Sequence, residues 1–312
     1  MVKTKIRIGF AGTPKIAFDH FSKLLSSDKL SVQFVLTQPN KTAGRGLSKT
    51  ESLFSGLDDT VPVFQFDDLS SNETKTKLTS YKIDLLVVVA YGKIIPEWLL
   101  EHPKHGCLNV HFSLLPKYRG AAPMQRAIQA GETVSGISFM KLQRGLDEGP
   151  VYKQIEAEIK NKNFFEVESM LLDKSINTIC FVIEQISKGA QALTQNHSEA
   201  TYANKITRDE GKISWEESYQ TIANKFLAFR KWPQSFFLLN GEEVKVTELN
   251  VQSNEKGTPG EIQSFNKKSL NVFCGNGVIS ISEVKFPGKK VIGSLDFFNS
   301  KRDIISKGDL LI

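Results

Sequence analysis

The sequence has few cysteines, and they stand far apart. Cys107, Cys180 and Cys274 are the only three in 312 residues, and no two have the C-x-x-C spacing of a redox or metal motif. The odd number and wide spacing exclude a disulfide-stapled scaffold and suit a reducing compartment. The five histidines form no cluster with cysteine at metal-ligand spacing, so we expect no metal.

Long apolar runs are also lacking. No stretch of about 20 apolar residues could form a membrane-spanning helix, and the first ten residues have neither the apolar core nor the cleavage site of a secretory signal. We therefore expect a soluble, cytoplasmic protein. Nothing in the sequence marks a symmetric interface, and we expect a monomer.

Blocks of like charge are missing as well. The chain carries 40 Lys/Arg against 34 Asp/Glu, and its net charge of +6 is spread along the sequence, with 15 basic and 13 acidic residues in 206–312. By itself this small excess indicates solubility. A polyanionic partner would have to be bound by dispersed lysines or by one local loop.

Several catalytic signatures are absent or incomplete. No serine stands in G-x-S-x-G and no cysteine is paired with a histidine, so covalent catalysis is not favoured. The stretch Gly9-Phe-Ala-Gly12-Thr-Pro14 offers two glycines where the dinucleotide fingerprint needs three, and no acidic residue closes the second strand. We expect a tight turn there and no NAD.

The first half of the chain alternates apolar runs with amphipathic stretches, which is typical of an α/β protein with a mostly parallel, Rossmann-like sheet. The run Asp84-Leu-Leu-Val-Val-Val-Ala90 has no polar alternation and predicts a central strand covered on both faces. A helix is predicted at 16–25. The predicted strands are 6–10, 31–37, 84–89, 107–111 and 135–141.

A long helix closes this half. Asn163 and Glu166 have the spacing of a capping box, and Gly189 ends the apolar pattern. The polar, aperiodic stretch 190–207 is typical of a linker. We therefore divide the chain into a catalytic domain at 1–189, a linker at 190–207 and a second domain at 208–312.

The second domain has a different period. Ser214-Trp-Glu-Glu217 resembles another capping box, predicting a helix that stops before Pro233. Turn signals, among them Asn240-Gly241, then separate five short segments with the period of β-strands. Five antiparallel strands in about 100 residues predict a small β-barrel. The predicted strands are 236–239, 243–249, 261–265, 270–274 and 278–284.

Polar side chains follow the strand at 107–111. Alternation puts Asn109 and His111 on the same face, Ser113-Leu-Leu-Pro116 leaves the carboxyl end of the strand, and Asp147 follows a later strand. An amide, an imidazole and a carboxylate can therefore converge at one sheet edge, where open α/β sheets bind ligands. The alternatives remain open at this point: Asn109 and His111 can be loop supports, and Asp147 between glycines can be a turn residue.

If the three act together, the absence of serine, cysteine and metal motifs leaves one reaction class open. This is the attack of an external nucleophile on a carbonyl carbon. An amide and a protonated imidazole can donate hydrogen bonds to the developing oxyanion, while a carboxylate orients the imidazole or accepts a proton. An amine suits this chemistry, because an α-amino group has an ordinary pKa of about 8 and needs little activation.

These motifs resemble the formyltransferases that use 10-formyltetrahydrofolate. The matching stretches are Asn109-Val-His111-Phe-Ser113-Leu-Leu-Pro116, Arg119-Gly-Ala-Ala-Pro123, Gly145-Leu-Asp147-Glu-Gly149, Ala90-Tyr-Gly-Lys-Ile-Ile-Pro96 and Thr201-Tyr-Ala-Asn-Lys205. The resemblance implies that Asn109, His111 and Asp147 are catalytic. It implies folate binding by Ser113, Leu114, Leu115 and Pro116, together with Tyr91 and Gly92.

The resemblance also implies a nucleic-acid partner. The C-terminal barrel would be of the oligonucleotide-binding (OB-fold) type, and the loop Gln38-Pro-Asn-Lys41-Thr-Ala-Gly-Arg45-Gly46 is similar to one that engages the acceptor end of tRNA, with Lys41 and Arg45 as contacts. The implied reaction moves a formyl group from 10-formyltetrahydrofolate to the α-amine of methionine on initiator tRNA. Two alternatives are a formyltransferase for an amino sugar-nucleotide or other small amine, and a nonenzymatic RNA-binding protein.

Overall fold

The computed structural model describes residues 5–39, 42–43, 48–49, 53–54, 56–57, 60–253 and 255–311. The chain separates into two compact units. The first comprises the residues up to Pro123 together with Gly136–Ala157 and Ser169–Tyr202, and the second comprises Met124–Ser135, Glu158–Glu168 and the residues from Ala203 onward. Each unit has its own apolar core.

The elements are numbered in chain order. The strands before residue 205 are β1 (Ile6–Gly12), β2 (Leu30–Leu36), β3 (Thr42–Ala43), β4 (Ser48–Lys49), β5 (Val63–Phe64), β6 (Leu85–Val89), β7 (Cys107–His111), β8 (Arg119–Gly120), β9 (Val134–Lys141), β10 (Val151–Glu158) and β11 (Tyr202–Ala203). The helices of the same stretch are α1 (Lys15–Leu25), α2 (Asn72–Thr79), α3 (Glu97–Glu101), α4 (Pro123–Gln129) and α5 (Phe164–Ser187).

The later elements follow in the same way. The helices are α6 (Tyr219–Ala228) and α7 (Ser294–Lys301), and the strands are β12 (Phe236–Leu239), β13 (Glu242–Ser253), β14 (Ile262–Phe265), β15 (Leu270–Cys274), β16 (Gly277–Lys285) and β17 (Val291–Gly293). Among the described residues, no helix combines the length and apolar character that crossing a membrane requires.

The first unit is built around a seven-stranded sheet whose strands lie in the order β10-β9-β7-β6-β1-β2-β5. Strands β5, β2, β1, β6 and β7 pair in parallel. Strand β6 lies fourth of the seven and all five of its residues are buried, which confirms the prediction of a central strand covered on both faces. The mostly parallel α/β sheet expected from the sequence is therefore present.

Strand β9 departs from the parallel pattern. It pairs with β7 antiparallel, with His111 opposite Ser138 and Leu108 opposite Lys141. Its carboxyl end consequently lies beside the start of β7, so the turn that follows β9 begins at the opposite end of β7 from His111. Sequence periodicity identified this strand but carries no information about its direction.

The C-terminal unit holds an antiparallel sheet in the order β12-β13-β16-β15-β14, with β17 also paired to β16. Register shifts within β13, on both sides of Glu248, bend this long strand, because a bulge twists and kinks the ladder. The sheet thereby curves around a core that includes Trp215, Phe237 and Ile262. The predicted small barrel is confirmed as an antiparallel half-barrel, and Asn240 and Gly241 have the positive φ of its predicted hairpin turn.

Helix ends follow their sequence signals in one case and not in another. The Asn163 side chain accepts hydrogen bonds from the amides of Phe165 and Glu166 at 2.9 and 3.2 Å, and the Glu166 carboxylate accepts one from the Asn163 amide at 2.8 Å. The capping box of α5 is therefore confirmed. The cap predicted at Ser214 is wrong: Ser218 caps α6 by accepting from the Thr221 amide. Residues 214–217 form a turn instead, which buries Trp215 in the core.

Candidate active site

The imidazole of His111 sits at the carboxyl end of β7 and is almost completely buried, with 6% of the side chain exposed. Its Nε2 donates a hydrogen bond to the backbone carbonyl of Tyr118 at 2.9 Å. A carbonyl can only accept, so Nε2 carries a proton. This bond fixes the orientation of the ring and leaves Nδ1 as the nitrogen whose protonation state can change.

Asp147 faces that second nitrogen. Its Oδ2 lies 3.6 Å from His111 Nδ1 and accepts a hydrogen bond from the Gly120 amide at 2.8 Å. Asp147 has a left-handed backbone with φ of +53°. Because β9 is antiparallel, Asp147 approaches His111 through a turn that folds back after Lys141, and not from the end of a parallel strand.

Asn109 lies two residues before His111 in β7 and is half-buried, opposite Met140 on β9. Side chains at i and i+2 of a strand point to the same face, about 7 Å apart along it. The structure thus brings His111 and Asp147 into direct proximity and puts Asn109 on the same face of the strand as His111.

The loop after β7 is held by internal hydrogen bonds. Ser113 is fully buried, and its hydroxyl donates to the Lys117 carbonyl at 2.6 Å. Ser138 donates to the Ser113 carbonyl at 2.7 Å and accepts from the Leu115 amide at 3.0 Å. The Ser113 hydroxyl is therefore committed to the shape of the loop, while Leu114 and Pro116 stay partly exposed.

The turn after β6, at Tyr91 and Gly92, offers backbone groups and not side chains for binding. The Tyr91 side chain is 2% exposed and packs in the apolar core, where its hydroxyl has no partner among the described residues and burial raises its pKa to about 12. The Tyr91 carbonyl accepts from the Gln38 side chain, through Nε2, at 2.7 Å and from the Thr13 hydroxyl at 3.2 Å. Gly92 has φ of +75°, and a Cβ on it would lie 2.5 Å from the Gln38 amide nitrogen.

These two loops lie at the same edge of the sheet. They leave the carboxyl ends of β6 and β7, which are parallel neighbours, so they share one sheet edge. They offer peptide groups and the partly exposed apolar side chains of Leu114 and Pro116, whereas Leu115 is buried, with 5% exposed. Ile94, near by in sequence, is exposed. Apolar surface with a few fixed polar groups is suited to a flat heteroaromatic ligand.

Lys41 and Arg45 lie outside the described residues. Their loop is preceded by Gln38, which is hydrogen-bonded to Tyr91. It is followed by Phe54, which is buried against the rings of Phe18 and Phe21 with centroids 5.4 and 5.5 Å away. No group of three or more His, Cys, Asp or Glu side chains suitable for a metal occurs in the described part of the chain.

The sequence did not predict the contact between Arg119 and Gln195, which supports the site. Arg119 is 1% exposed and donates to the side-chain oxygen Oε1 of Gln195 through Nε and Nη2, at 3.2 and 2.8 Å. Gln195 in turn donates to the carbonyls of Asp147 and Gly149, at 2.8 and 2.6 Å. The two partners are 76 residues apart, so no local pattern could have linked them.

An open α/β sheet followed by a smaller antiparallel sheet matches the domain order of the formyl transferases. The chain belongs to this family: the formyl transferase model matches residues 5–174, and the model of the formyl transferase C-terminal domain matches residues 205–302. Within the family it is similar to the methionyl-tRNA formyltransferase of Pseudomonas entomophila (strain L48), with 38% identity over 310 residues that cover 98% of this chain and 99% of the relative.

Solved structures share the fold. Methionyl-tRNA formyltransferase from Clostridium thermocellum superposes with a TM-score of 0.58 at 15% identity, covering 92% of this chain and 99% of that one. HypX from Aquifex aeolicus in complex with tetrahydrofolic acid gives a TM-score of 0.64 at 15% identity, covering 99% of this chain and 51% of that one. Family membership confirms the predicted enzyme class, a formyl transferase with a formyl-tetrahydrofolate donor.

Proposed function

We propose that this enzyme transfers a formyl group from 10-formyltetrahydrofolate to the α-amino group of methionine esterified to initiator tRNA. The observation that carries the proposal is the approach of Asp147 to Nδ1 of His111 in a chain similar over 98% of its length to a methionyl-tRNA formyltransferase. The C-terminal domain, matched over 205–302, supports a large acceptor.

A bound folate would supply the formyl group, and the protein would supply hydrogen bonds and a proton acceptor. Asn109 Nδ2 and His111 Nδ1 donate to the formyl oxygen, which gains negative charge as the amine attacks. Nδ1 takes this role because Nε2 is already bonded to the Tyr118 carbonyl. Asp147 stabilises a proton on Nδ1 and would receive, directly or through water, the proton that the amine loses. The bond between the formyl carbon and N10 would then break, and this proton would pass to N10 as tetrahydrofolate leaves.

Folate binding is assigned to the loops described above. Leu114, Leu115 and Pro116 supply apolar contact, Ser113 supports the loop from beneath, and the backbone at Tyr91 and Gly92 supplies hydrogen-bonding groups. The internal bonds of both loops support this, since a loop already held in shape loses little entropy on binding.

The RNA surface is assigned to the C-terminal unit and to the loop with Lys41 and Arg45. In the antiparallel pair of β13 and β16, Lys245 lies directly opposite Lys285. Lys245 Nζ donates to Gln234 Oε1 at 3.0 Å, a neutral acceptor that does not offset its charge. Like charges directly opposite each other on a sheet destabilise it, and a phosphate beside the pair would relieve the repulsion. We keep the functional division as a catalytic domain at 1–189, a linker at 190–207 and a tRNA-binding domain at 208–312, in a monomeric, cytoplasmic enzyme.

Mixing the purified protein with 10-formyltetrahydrofolate and charged initiator tRNA tests the proposal, with N-formylmethionine as the readout. We expect product with the wild type, and loss of at least about 100-fold in kcat for Asn109→Ala and Asp147→Asn, as for removal of one oxyanion donor or of the proton acceptor. Asp28→Asn, in an exposed turn, is the matched control.

Two outcomes contradict the proposal. Formylation of a free amino sugar-nucleotide or small amine in preference to methionyl-tRNA would assign the enzyme a small acceptor. RNA binding without any formyl transfer would make it a nonenzymatic binding protein. Retained tRNA binding in the inactive Asp147→Asn variant separates loss of chemistry from loss of substrate.

A further inference from the structure

Three consecutive residues connect the two groups proposed for catalysis. The carbonyl of Tyr118 accepts from His111 Nε2 at 2.9 Å, and the amide of Gly120 donates to Asp147 Oδ2 at 2.8 Å. One contact therefore fixes the imidazole and the other fixes the carboxylate. The segment 118–120 sets the distance between His111 and Asp147.

The backbone at both ends of this connection is in an unfavourable conformation. Tyr118 has φ of +59° and Asp147 has φ of +53°, a left-handed region that a bulky residue such as Tyr seldom adopts and that Asp adopts more readily. Such conformations persist only where the surrounding structure imposes them. Contacts from the rest of the fold must therefore keep the segment 118–120 next to the turn that contains Asp147.

The amides of Tyr118 and Arg119 donate to the hydroxyl and the carbonyl of Thr201, which holds the segment itself. The side chain of Arg119, between the two contacts, links the segment to the turn that contains Asp147. Its guanidinium is buried and bonded to Gln195 Oε1, and Nη2 also donates to His197 Nδ1 at 3.2 Å. Glu148 Oε1 approaches Nη1 only to 3.6 Å, and that side chain is 41% exposed. A buried cation held mainly by neutral acceptors contributes little net stability, because removing its charge from water is costly.

Gln195 completes the connection. The oxygen of its amide faces the guanidinium, and its nitrogen donates to the carbonyls of Asp147 and Gly149. Every polar group of the Gln195 amide is thus engaged, and its side chain is 93% buried, with 7% exposed. Arg119 holds Gln195, and Gln195 holds the turn that carries Asp147.

We propose that Arg119 and Gln195 are positioning residues that keep His111 Nδ1 and Asp147 Oδ2 at their working separation. Neither touches the reacting atoms; both act through the segment 118–120 and the turn 147–149. The inference rests on the proposed function, because it gives the pair a purpose only if His111 and Asp147 act in formyl transfer.

Gln195→Glu is the sharpest test. The carboxylate still accepts from Arg119 but can no longer donate to the carbonyls of Asp147 and Gly149. Arg119→Lys keeps the charge and loses the forked geometry. We expect kcat to fall about 10- to 100-fold in both while the KM for the folate stays within about twofold, as for misplacement of catalytic groups. Arg7→Lys is the matched control, because Arg7 makes a two-pronged contact with Asp84.

The NMR resonance of the Gly120 amide proton reports the geometry of the site independently of activity. The Gly120 amide proton donates to a carboxylate, and such a bond shifts its resonance downfield in protein labelled with ¹⁵N-glycine. We expect an upfield shift in Gln195→Glu and Arg119→Lys, towards the position in Asp147→Asn, and none in Arg7→Lys. Gln195→Met, which keeps the length without polar atoms, substitutes for any variant whose circular dichroism shows that it does not fold.

Folded variants with the kcat and the Gly120 resonance of Arg7→Lys would overturn the proposal. A fall in kcat with an unchanged Gly120 resonance would also overturn it, because the geometry would be intact. The proposed function fails separately, if Asp147→Asn remains active. In that case the Gly120 resonance still decides whether Arg119 and Gln195 hold the turn.

Discussion

The imidazole of His20, on α1, lies 2.8 Å from the hydroxyl of Ser175, on α5, and both side chains are completely buried. The other ring nitrogen, Nδ1, lies 2.7 Å from the Ile16 carbonyl. Burial penalises the charged ring and lowers the pKa of His20 below its ordinary 6.5, against the opposing effects of the Ile16 carbonyl and the Asp19 carboxylate. The stability of the contact between these two helices should therefore depend on pH.

The free energy of unfolding should fall as the pH drops below about 6.5. In that range His20 is protonated in the unfolded chain and neutral in the folded protein. This difference lowers the free energy of unfolding by at most about 1.4 kcal/mol per pH unit. Replacing both partners, His20→Phe with Ser175→Ala, should remove this contribution. Urea unfolding between pH 5 and 8 measures it. Ser175→Ala alone keeps the buried histidine, and an equally flat profile in that control would contradict the assignment.

Gly92 should tolerate no side chain. In Gly92→Ala the new Cβ would displace the Gln38 side chain, whose Nε2 lies 2.5 Å away, and the backbone keeps a φ of +75°. We expect a stability loss of about 1–3 kcal/mol and at least about tenfold weaker folate binding, measured by fluorescence titration. Gly189→Ala is the control, because it has φ of +89° with nothing within 4 Å. The same loss of folate affinity in both variants would refute a role for the contact with Gln38.

Ser138 should be essential to the loop at 113–116. Its hydroxyl joins the Ser113 carbonyl, the Leu115 amide and Gln154, so Ser138→Ala leaves buried groups unpaired and should cost about 1–3 kcal/mol. Folate affinity should fall with it. Ser135, on the same strand, is buried with a hydroxyl that has no partner among the described residues. Ser135→Ala should change the stability by no more than about 0.5 kcal/mol, and calorimetry of both variants checks this.

The paired lysines of the C-terminal sheet should contribute to tRNA binding through charge. Lys245→Ala with Lys285→Ala should weaken tRNA binding and lower the slope of log K against log salt by about 1 to 2. Filter binding at several salt concentrations gives both quantities. Lys29→Ala, which removes a lysine ion-paired with Glu184 at 2.9 Å, should leave the slope unchanged. An unchanged slope in the double variant would remove β13 and β16 from the RNA surface.

Arg45 should act on the tRNA and not on the folate. Arg45→Ala removes the charge that can reach phosphates at the acceptor end, so KM for methionyl-tRNA should rise about tenfold while folate affinity stays the same. Steady-state kinetics with each substrate varied in turn separate the two. A parallel loss for both substrates would contradict the assignment of this loop.

Local patterns predicted most of the elements, because burial leaves a period in the sequence. The apolar run of β6, the Asn163 cap and the Asn240-Gly241 turn are all decided by neighbouring residues, and all are confirmed. The cap at Ser214 failed because burial of Trp215 in the core overrides the S-x-x-E pattern. The direction of β9 was open, since alternation is the same in parallel and antiparallel strands.

The site was predictable in part for the same reason. Asn109 and His111 lie on one strand, so their common face follows from spacing. The partners that fix the site come from elsewhere: the Tyr118 carbonyl and the Gly120 amide are backbone groups, which no side-chain motif identifies. Gln195 reaches Arg119 only through the tertiary fold. Periodicity therefore located the proposed catalytic residues but could not show what holds them.

The two outer strands of the seven-stranded sheet limit how far it can grow. Strand β5 is two residues long, and β10 exposes Lys153, Glu156 and Glu158 along its length. A short edge offers too few free backbone groups to recruit another strand, and a charged edge repels one. Pairing with the sheet of a second molecule, the usual route to aggregation in folds with open edges, is thereby disfavoured at both ends.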